Sequence, residues 1–351
     1  MKTSAFILLF LVFAAGIYGE VFPGLEILDS LFVEEPLRDP DLGSRGGWGI
    51  TSSGVLRVPV IFVDWAGETV QSTHWPLGGD PLYMEDFIDS QPYVAGQVWP
   101  RLNLSKYMYT MSNGMFNMIG DTYRYTIPAG LSFSTENQLS SHVLSAMDPI
   151  INYSLYDQWT RTSFYNHLQI PNGEVDWIYV IYRFPLSEFF PEITYTGYTP
   201  IGNYQTQDGV LVGNDWYASG SVQGGMRSSG FNGISNVCLH EFAHSLFWRN
   251  NWGGHNGRLA GLSVLSANQV GWGTSIWGMN AWEREKLGWM NYNTVSADDV
   301  VLLSDYITCG IALKIPTNDP NRFYFIENRQ RLDPEFDTAF GKGIYIYRAI
   351  N

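Results

Sequence analysis

His240-Glu241-Phe242-Ala243-His244 gathers two imidazoles and a carboxylate into five residues. On a helix, side chains four apart stand one above the other, so His240 and His244 can reach a single cation. Glu241 follows the first imidazole, where a carboxylate can sit over a metal-activated water and accept its proton. This is the apparatus of zinc-assisted peptide hydrolysis. Three fixed residues recur by accident in roughly one chain of this length in a hundred, and a pair of satisfied core histidines is the rival reading. Two observations favour a metal. The chain holds only six His, and His240, His244 and His255 fall within sixteen residues. The flanking Val237, Leu239, Phe242, Leu246 and Phe247 have the spacing of a buried amphipathic helix, with Ser235 as its N-cap.

Such a helix needs a platform. Val55 to Val63 reads as a buried strand, and Trp177 to Phe184 as a second, both β-branched and aromatic. Short helices are predicted over Pro81 to Ser90, Leu104 to Met111 and Glu136 to Asp148, and a hairpin over Phe116 to Gly120 and Tyr123 to Ile127. The Gly-, Tyr- and Asn-rich segment from Pro185 to Gly233 reads as loops and short edge strands that build a cleft. After the histidine helix come a Gly-, Asn- and Trp-rich loop from Arg249 to Gly278 and a helix from Asn280 to Leu287. Beyond Asp298 the pattern is strands alone, at Val300 to Leu303, Ile311 to Ile315, Phe323 to Ile326 and Ile344 to Tyr347. The expected class is α+β with a β-rich end.

Lys2 and the apolar run Ala5 to Ala15, followed by small residues, have the form of a secretory signal peptide over 1–19. The expected organisation is then an extended lead-in over 20–53, a catalytic domain over 54–297 and a β-rich segment over 298–351. No later stretch is long and apolar enough to span a bilayer. Twenty Lys and Arg against 34 Asp and Glu give a net charge of −14, which argues against nucleic acid and anionic membranes as partners. A secreted monomer acting on protein or peptide substrates is the expectation. Cys238 and Cys309 are the only cysteines. Export permits a disulfide between them, and a buried free thiol at Cys238 is the other reading. Asn103-Leu104-Ser105 and Asn152-Tyr153-Ser154 are glycosylation sequons.

Read together, these segments resemble the immune inhibitor A-type secreted metallopeptidases and, more loosely, the gametolysin-like ones. The likeness rests on Val55 to Asp64, on Leu104 to Met108 with Ser112 to Phe116, and on Ala281 to Trp289 after the HExxH. Phe323 to Gln330 and Gly343 to Arg348 resemble the family's paired C-terminal strands. The resemblance implies a zincin-like catalytic domain, zinc as cofactor and endopeptidase activity. Family members commonly continue beyond the residue matching Arg348, which leaves room for a truncated or reduced form.

The third ligand departs from the usual pattern. Phe247 stands where the family has Gly, and Asn250 holds the customary ligand position with only a neutral amide. Trp252-Gly253-Gly254-His255 supplies both a turn and a nitrogen, so the predicted metal ligands are His240, His244 and His255, with Glu241 catalytic. Glu283 and Glu285 have ligand chemistry, but Arg284 and Lys286 beside them favour surface pairs or the capping of a loop. Leu265 and Met279 are candidates for a methionine turn, and packing is the simpler reading of each. Calcium could be held by Asn214-Asp215 or by Asp333, Glu335 and Asp337, although solvated acids explain both groups. His74, His142 and His167 read as surface or structural. Two rival functions remain: a catalytically weak zincin-fold binding or surface protein, and a carbohydrate- or wall-binding protein using its Trp and Tyr for stacking.

Overall fold

The computed structural model describes residues 44–94, 97–99, 101–193, 197, 201–213, 219–223, 225–247, 263–265, 276–290, 292–295, 300–320, 322–337 and 341–350. The signal segment, most of the lead-in, Asn214-Asp215, Asn250 and His255 lie outside them.

The run from Val58 to Val63 is apolar on both faces because the strand it forms, β1 (Gly54–Trp65), is covered on both sides. Strands β2 (Phe116–Ile127) and β5 (Ile178–Tyr182) flank it, and β8 (Ser219–Gln223) lies beyond β5. All three pairings are parallel. Alternation sorts the side chains. Leu56, Val58, Val60 and Phe62 join Trp177, Tyr179 and Ile181 in one core, while Ile61 and Val63 join Ile178, Val180 and Tyr182 in the other. Helices α1 (Leu104–Met111) and α3 (Gly225–Phe247) pack on the first face, and α2 (Glu136–Met147) packs on the second. Two side chains fix where α1 and α2 begin: Asn103 accepts from the Lys106 N–H, and Thr135 from the Gln138 N–H.

The chain is thus mixed α and β, as expected, but several local expectations fail. Residues 116–127 form one continuous strand and not a hairpin. Gly120 is opposite Val58, and any Cβ there would overlap the Val58 carbonyl, so this glycine serves close approach of two strands and not a turn. Pro81 to Ser90 is a series of turns, with Met84 N–H to Pro81 O and Phe87 N–H to Met84 O. Tyr83, at φ 66°, breaks any helix there. Val300 to Leu303 forms no strand, and Val300 and Leu302 are 90% and 94% exposed. The β-rich end also contains a short helix, Tyr306–Cys309, begun by Asp305 and ended by Gly310 in the left-handed conformation.

Two short pairs, β3 (Thr160–Ser163) with β4 (Asn166–Leu168) and β6 (Tyr204–Gln205) with β7 (Leu211–Val212), decorate the first sheet. The strands β9 (Asn293–Thr294), β10 (Leu313–Pro316), β11 (Arg322–Arg329) and β12 (Gly343–Ile350) form a second sheet, in the order β12-β11-β10-β9. β10, β11 and β12 are antiparallel, and β9 joins β10 in parallel. Against this sheet packs α4 (Ala281–Lys286). Cys238 is buried and Cys309 exposed, and both are free thiols. Among the described residues no helix is long and apolar enough to cross a membrane.

Candidate metal centre

Helix α3 carries the HExxH, and its second half is buried on nearly every side. Phe242 meets Trp177 edge to face at 5.1 Å and stacks on Phe116 at 6.1 Å. Its start differs from expectation, because Ser235 lies inside the helix and is buried. The break comes earlier, at Gly230 (φ 70°, ψ −166°), where a Cβ would press on the His74 ring. Glycine supplies the start that a capping side chain was expected to supply. At the other end, the Ser245 and Leu246 carbonyls accept from the Gly49 and Trp48 N–H groups, both at 2.9 Å. Residues 44–53, the end of the extended lead-in, therefore close the histidine helix, with Trp48, Ile50 and Ser52 buried.

The two imidazoles converge. His240 Nε2 and His244 Nε2 are 3.1 Å apart, with their rings at 89°. Two nitrogens each about 2.0–2.1 Å from a tetrahedral zinc would be separated by about 3.3 Å, so the pair fits that ion. His240 Nδ1 lies 2.9 Å from the Val264 carbonyl oxygen. A carbonyl only accepts, so Nδ1 carries the proton and Nε2 keeps its lone pair for a cation. Glu241 is buried one position on. Gly197 packs so closely against its carboxylate that a Cβ at 197 would overlap Oε1.

Residues 263–265 form a turn beside His240, and α4 holds that turn. Glu283 Oε1 accepts from Ser263 Oγ at 2.6 Å and from the Val264 N–H at 3.1 Å. Its Oε2 accepts from the Asn280 N–H at 2.9 Å, and Asn280 Oδ1 accepts from the Glu283 N–H in return, a complete capping box. Burial raises the Glu283 carboxyl to about 7, against the opposing pull of the Ser263, Asn280 and Val264 donors. Glu283 thus caps the 263–265 turn, one of the two expectations for α4, and the other, surface pairs, is corrected. Both glutamates are buried, and Glu285 binds Lys314 at 3.0 Å and Arg45 at 3.1 Å. Their alternation with Arg284 and Lys286 suggested a solvated helix, but α4 is one short helix covered by the second sheet.

The segment before α4 is clamped by charge. Glu327 accepts from the Ala281 N–H and Tyr347 Oη, and binds Arg329 Nε at 2.7 Å. Arg329 binds Asp337 at 2.9 Å, and Asp337 accepts from the Gly278 N–H. Burial disfavours the Arg329 charge, but Glu327 and Asp337 outweigh it and hold the guanidinium well above its ordinary range. Asp333 and Glu335 are engaged by Lys106. The acids at 333, 335 and 337 considered for calcium thus each pair with a protein cation. Leu265 and Met279 are buried packing residues. His142 bonds Tyr125 Oη at 2.7 Å, and His74 packs on Gly230, as structural histidines.

Among the described residues no third His, Cys, Asp or Glu joins His240 and His244, and the predicted His255 lies outside them. Two contributors to the site leave no mark in the sequence. Val264 acts through a backbone carbonyl, which carries no residue-type signal, and Gly197 acts through the lack of a side chain. Comparison with known protein-family models and with curated proteins gives no match.

Proposed function

We propose that the protein is a secreted zinc-dependent endopeptidase with a zincin-like catalytic domain, similar to the immune inhibitor A-type enzymes. One observation carries this reading: two facing imidazole Nε2 atoms, 3.1 Å apart on a buried helix, with a carboxylate on the residue after the first. His240 and His244 hold the ion, and His255 is the proposed third ligand. When bound, zinc supplies a Lewis acid for the scissile carbonyl and lowers the pKa of a water. Glu241 accepts the proton of the attacking water and delivers it to the leaving amine. Its burial beside Gly197 keeps the carboxylate in one place, and the Val264 carbonyl holds His240 in the ligating tautomer.

Purified protein should carry one zinc and cleave an unfolded substrate such as casein, losing activity to phenanthroline and regaining it with added zinc. Cleavage by metal-free protein overturns the assignment. Glu241→Gln should keep the zinc yet lower turnover by about 10²–10⁴. Zinc binding without turnover in the parent protein would instead support the catalytically weak binding protein. His255→Ala should abolish activity and weaken zinc binding while Asn250→Ala preserves both, and the reverse pattern would remove His255 from the ligand set.

A further inference from the structure

We infer that Glu283 is a positioning residue for His240, acting through the Ser263-Val264-Leu265 turn. The inference rests on the metal-site reading and adds a residue on a different helix to it. Ser263 Oγ donates to Glu283 Oε1 at 2.6 Å and accepts from the Leu265 N–H at 3.1 Å. That N–H belongs to the same peptide unit as the Val264 carbonyl, whose oxygen accepts from His240 Nδ1 at 2.9 Å. A continuous chain of polarised bonds therefore runs from the carboxylate through the serine hydroxyl and one peptide unit to the imidazole. Such chains strengthen each member, so an acceptor oxygen at Glu283 makes the Val264 carbonyl a better acceptor. The second contact, from the Val264 N–H to Oε1, fixes the turn from its other side.

Helix capping alone does not account for this arrangement. The cap uses Oε2 and the Asn280 N–H, whereas both Oε1 contacts go to the turn. Nor is Glu283 placed as a ligand, because its two oxygens already accept from the Ser263, Val264 and Asn280 donors. It is held still in turn: the Ala281 N–H donates to Glu327, within the buried Glu327–Arg329–Asp337 group. A carboxylate so anchored sets the height of the turn, and the turn sets the direction in which His240 presents Nε2.

The test compares Glu283→Ala, Glu283→Gln and Ser263→Ala in the full chain. Three readouts are used: zinc affinity by chelator competition, the ¹⁵N spectrum of the His240 ring in metal-free protein, and urea unfolding. Glu283→Ala should weaken zinc binding about 10–100-fold and replace the single Nδ1–H tautomer of His240 by a mixture. Glu283→Gln, whose amide oxygen can still accept from Ser263 and Val264, should stay within about threefold of the parent. Ser263→Ala leaves the α4 cap intact, so it should shift zinc affinity and tautomer in the same direction even if Glu283→Ala fails to fold. Loss of stability with zinc affinity and tautomer unchanged, in either Ala variant, overturns the inference and leaves Glu283 as a cap. If the parent binds no zinc, the metal-site reading fails, and the ring spectrum alone then decides whether Glu283 positions His240.

Discussion

In the core between β1, β5 and α3 the buried side chains are mostly aliphatic and aromatic, with Val60, Phe62, Trp177 and Phe242 among them, and the buried ions Asp64, Glu68 and Arg183 lie at or just beyond the strand ends. Around residues 277–283 charged side chains are buried among the apolar ones, with Glu283, Glu327, Arg329 and Asp337 all buried. The histidine helix draws on both interiors. Apolar packing holds it against the sheet but is non-directional, and it tolerates exchange of similar volumes. Directional bonds from the charged side set the azimuth of one imidazole ring, which packing alone would leave loose. That control brings vulnerability, since removing one member of a buried ionic group leaves its partners uncompensated.

The largest expected effect is at the charged junction. Arg329→Met should cost about 3–5 kcal/mol in urea unfolding, because Glu327 and Asp337 stay buried without their cation. A cost below about 1 kcal/mol, typical of exposed pairs, would erase the contrast between the two interiors. Next comes Gly197→Ala, where the new methyl must displace the Glu241 carboxylate. A misplacement of about 1 Å should lower casein cleavage roughly 10²-fold with stability unchanged, and full activity would show that Glu241 is not confined by Gly197.

Asp176 probes the apolar side, where a half-buried carboxylate accepts from the Gln158 and Trp159 N–H groups. Burial raises it from 3.8 to about 7. A raised folded-state pKa means that its contribution to stability is complete below about pH 4 and is lost as pH rises to about 7. Unfolding free energy should therefore fall across that window by at most about 1.4 kcal/mol per pH unit, and Asp176→Asn should flatten the slope. An unchanged profile in the variant would remove Asp176 as the cause. The smallest effect is expected for Met118→Leu, a near volume-conserving change in β2 that should cost less than about 1.5 kcal/mol. A larger loss would show the apolar interior to be as exacting as the charged one.

How much of this is legible in the sequence depends on whether a residue's task is written in its own type. β1 and β5 are readable because burial on both faces demands an unbroken apolar run, and α1 and α2 because their apolar spacing is helical. β2 reads as a hairpin because a glycine that lets two strands approach looks the same as one that turns the chain. On α4 the signal is ambiguous. Alternating charges suggest solvent, and partners distant in sequence bury them, with Lys314 of β10 on Glu285, the 263–265 turn on Glu283, and Asn113 and Tyr306 on Arg284. The two histidines and Glu241 declare themselves by spacing. The turn that orients His240 does not, because its working atom is a carbonyl, and Glu283 reads as a surface partner or the cap of a loop without any indication of which loop it holds.

The cap of α1 has a consequence for covalent modification. Asn103 is buried, its Oδ1 accepting from the Lys106 N–H and its Nδ2 donating to Asp89. A sugar attached to Nδ2 and the first turn of α1 therefore exclude each other. Asn152 is exposed, and its Oδ1 accepts from Ser154 at the start of a 3₁₀ turn, Tyr153–Tyr156. Of the two sequons, the one at Asn152 is compatible with the folded chain, and in a glycosylating host the other would become a trap that diverts the chain before α1 has closed.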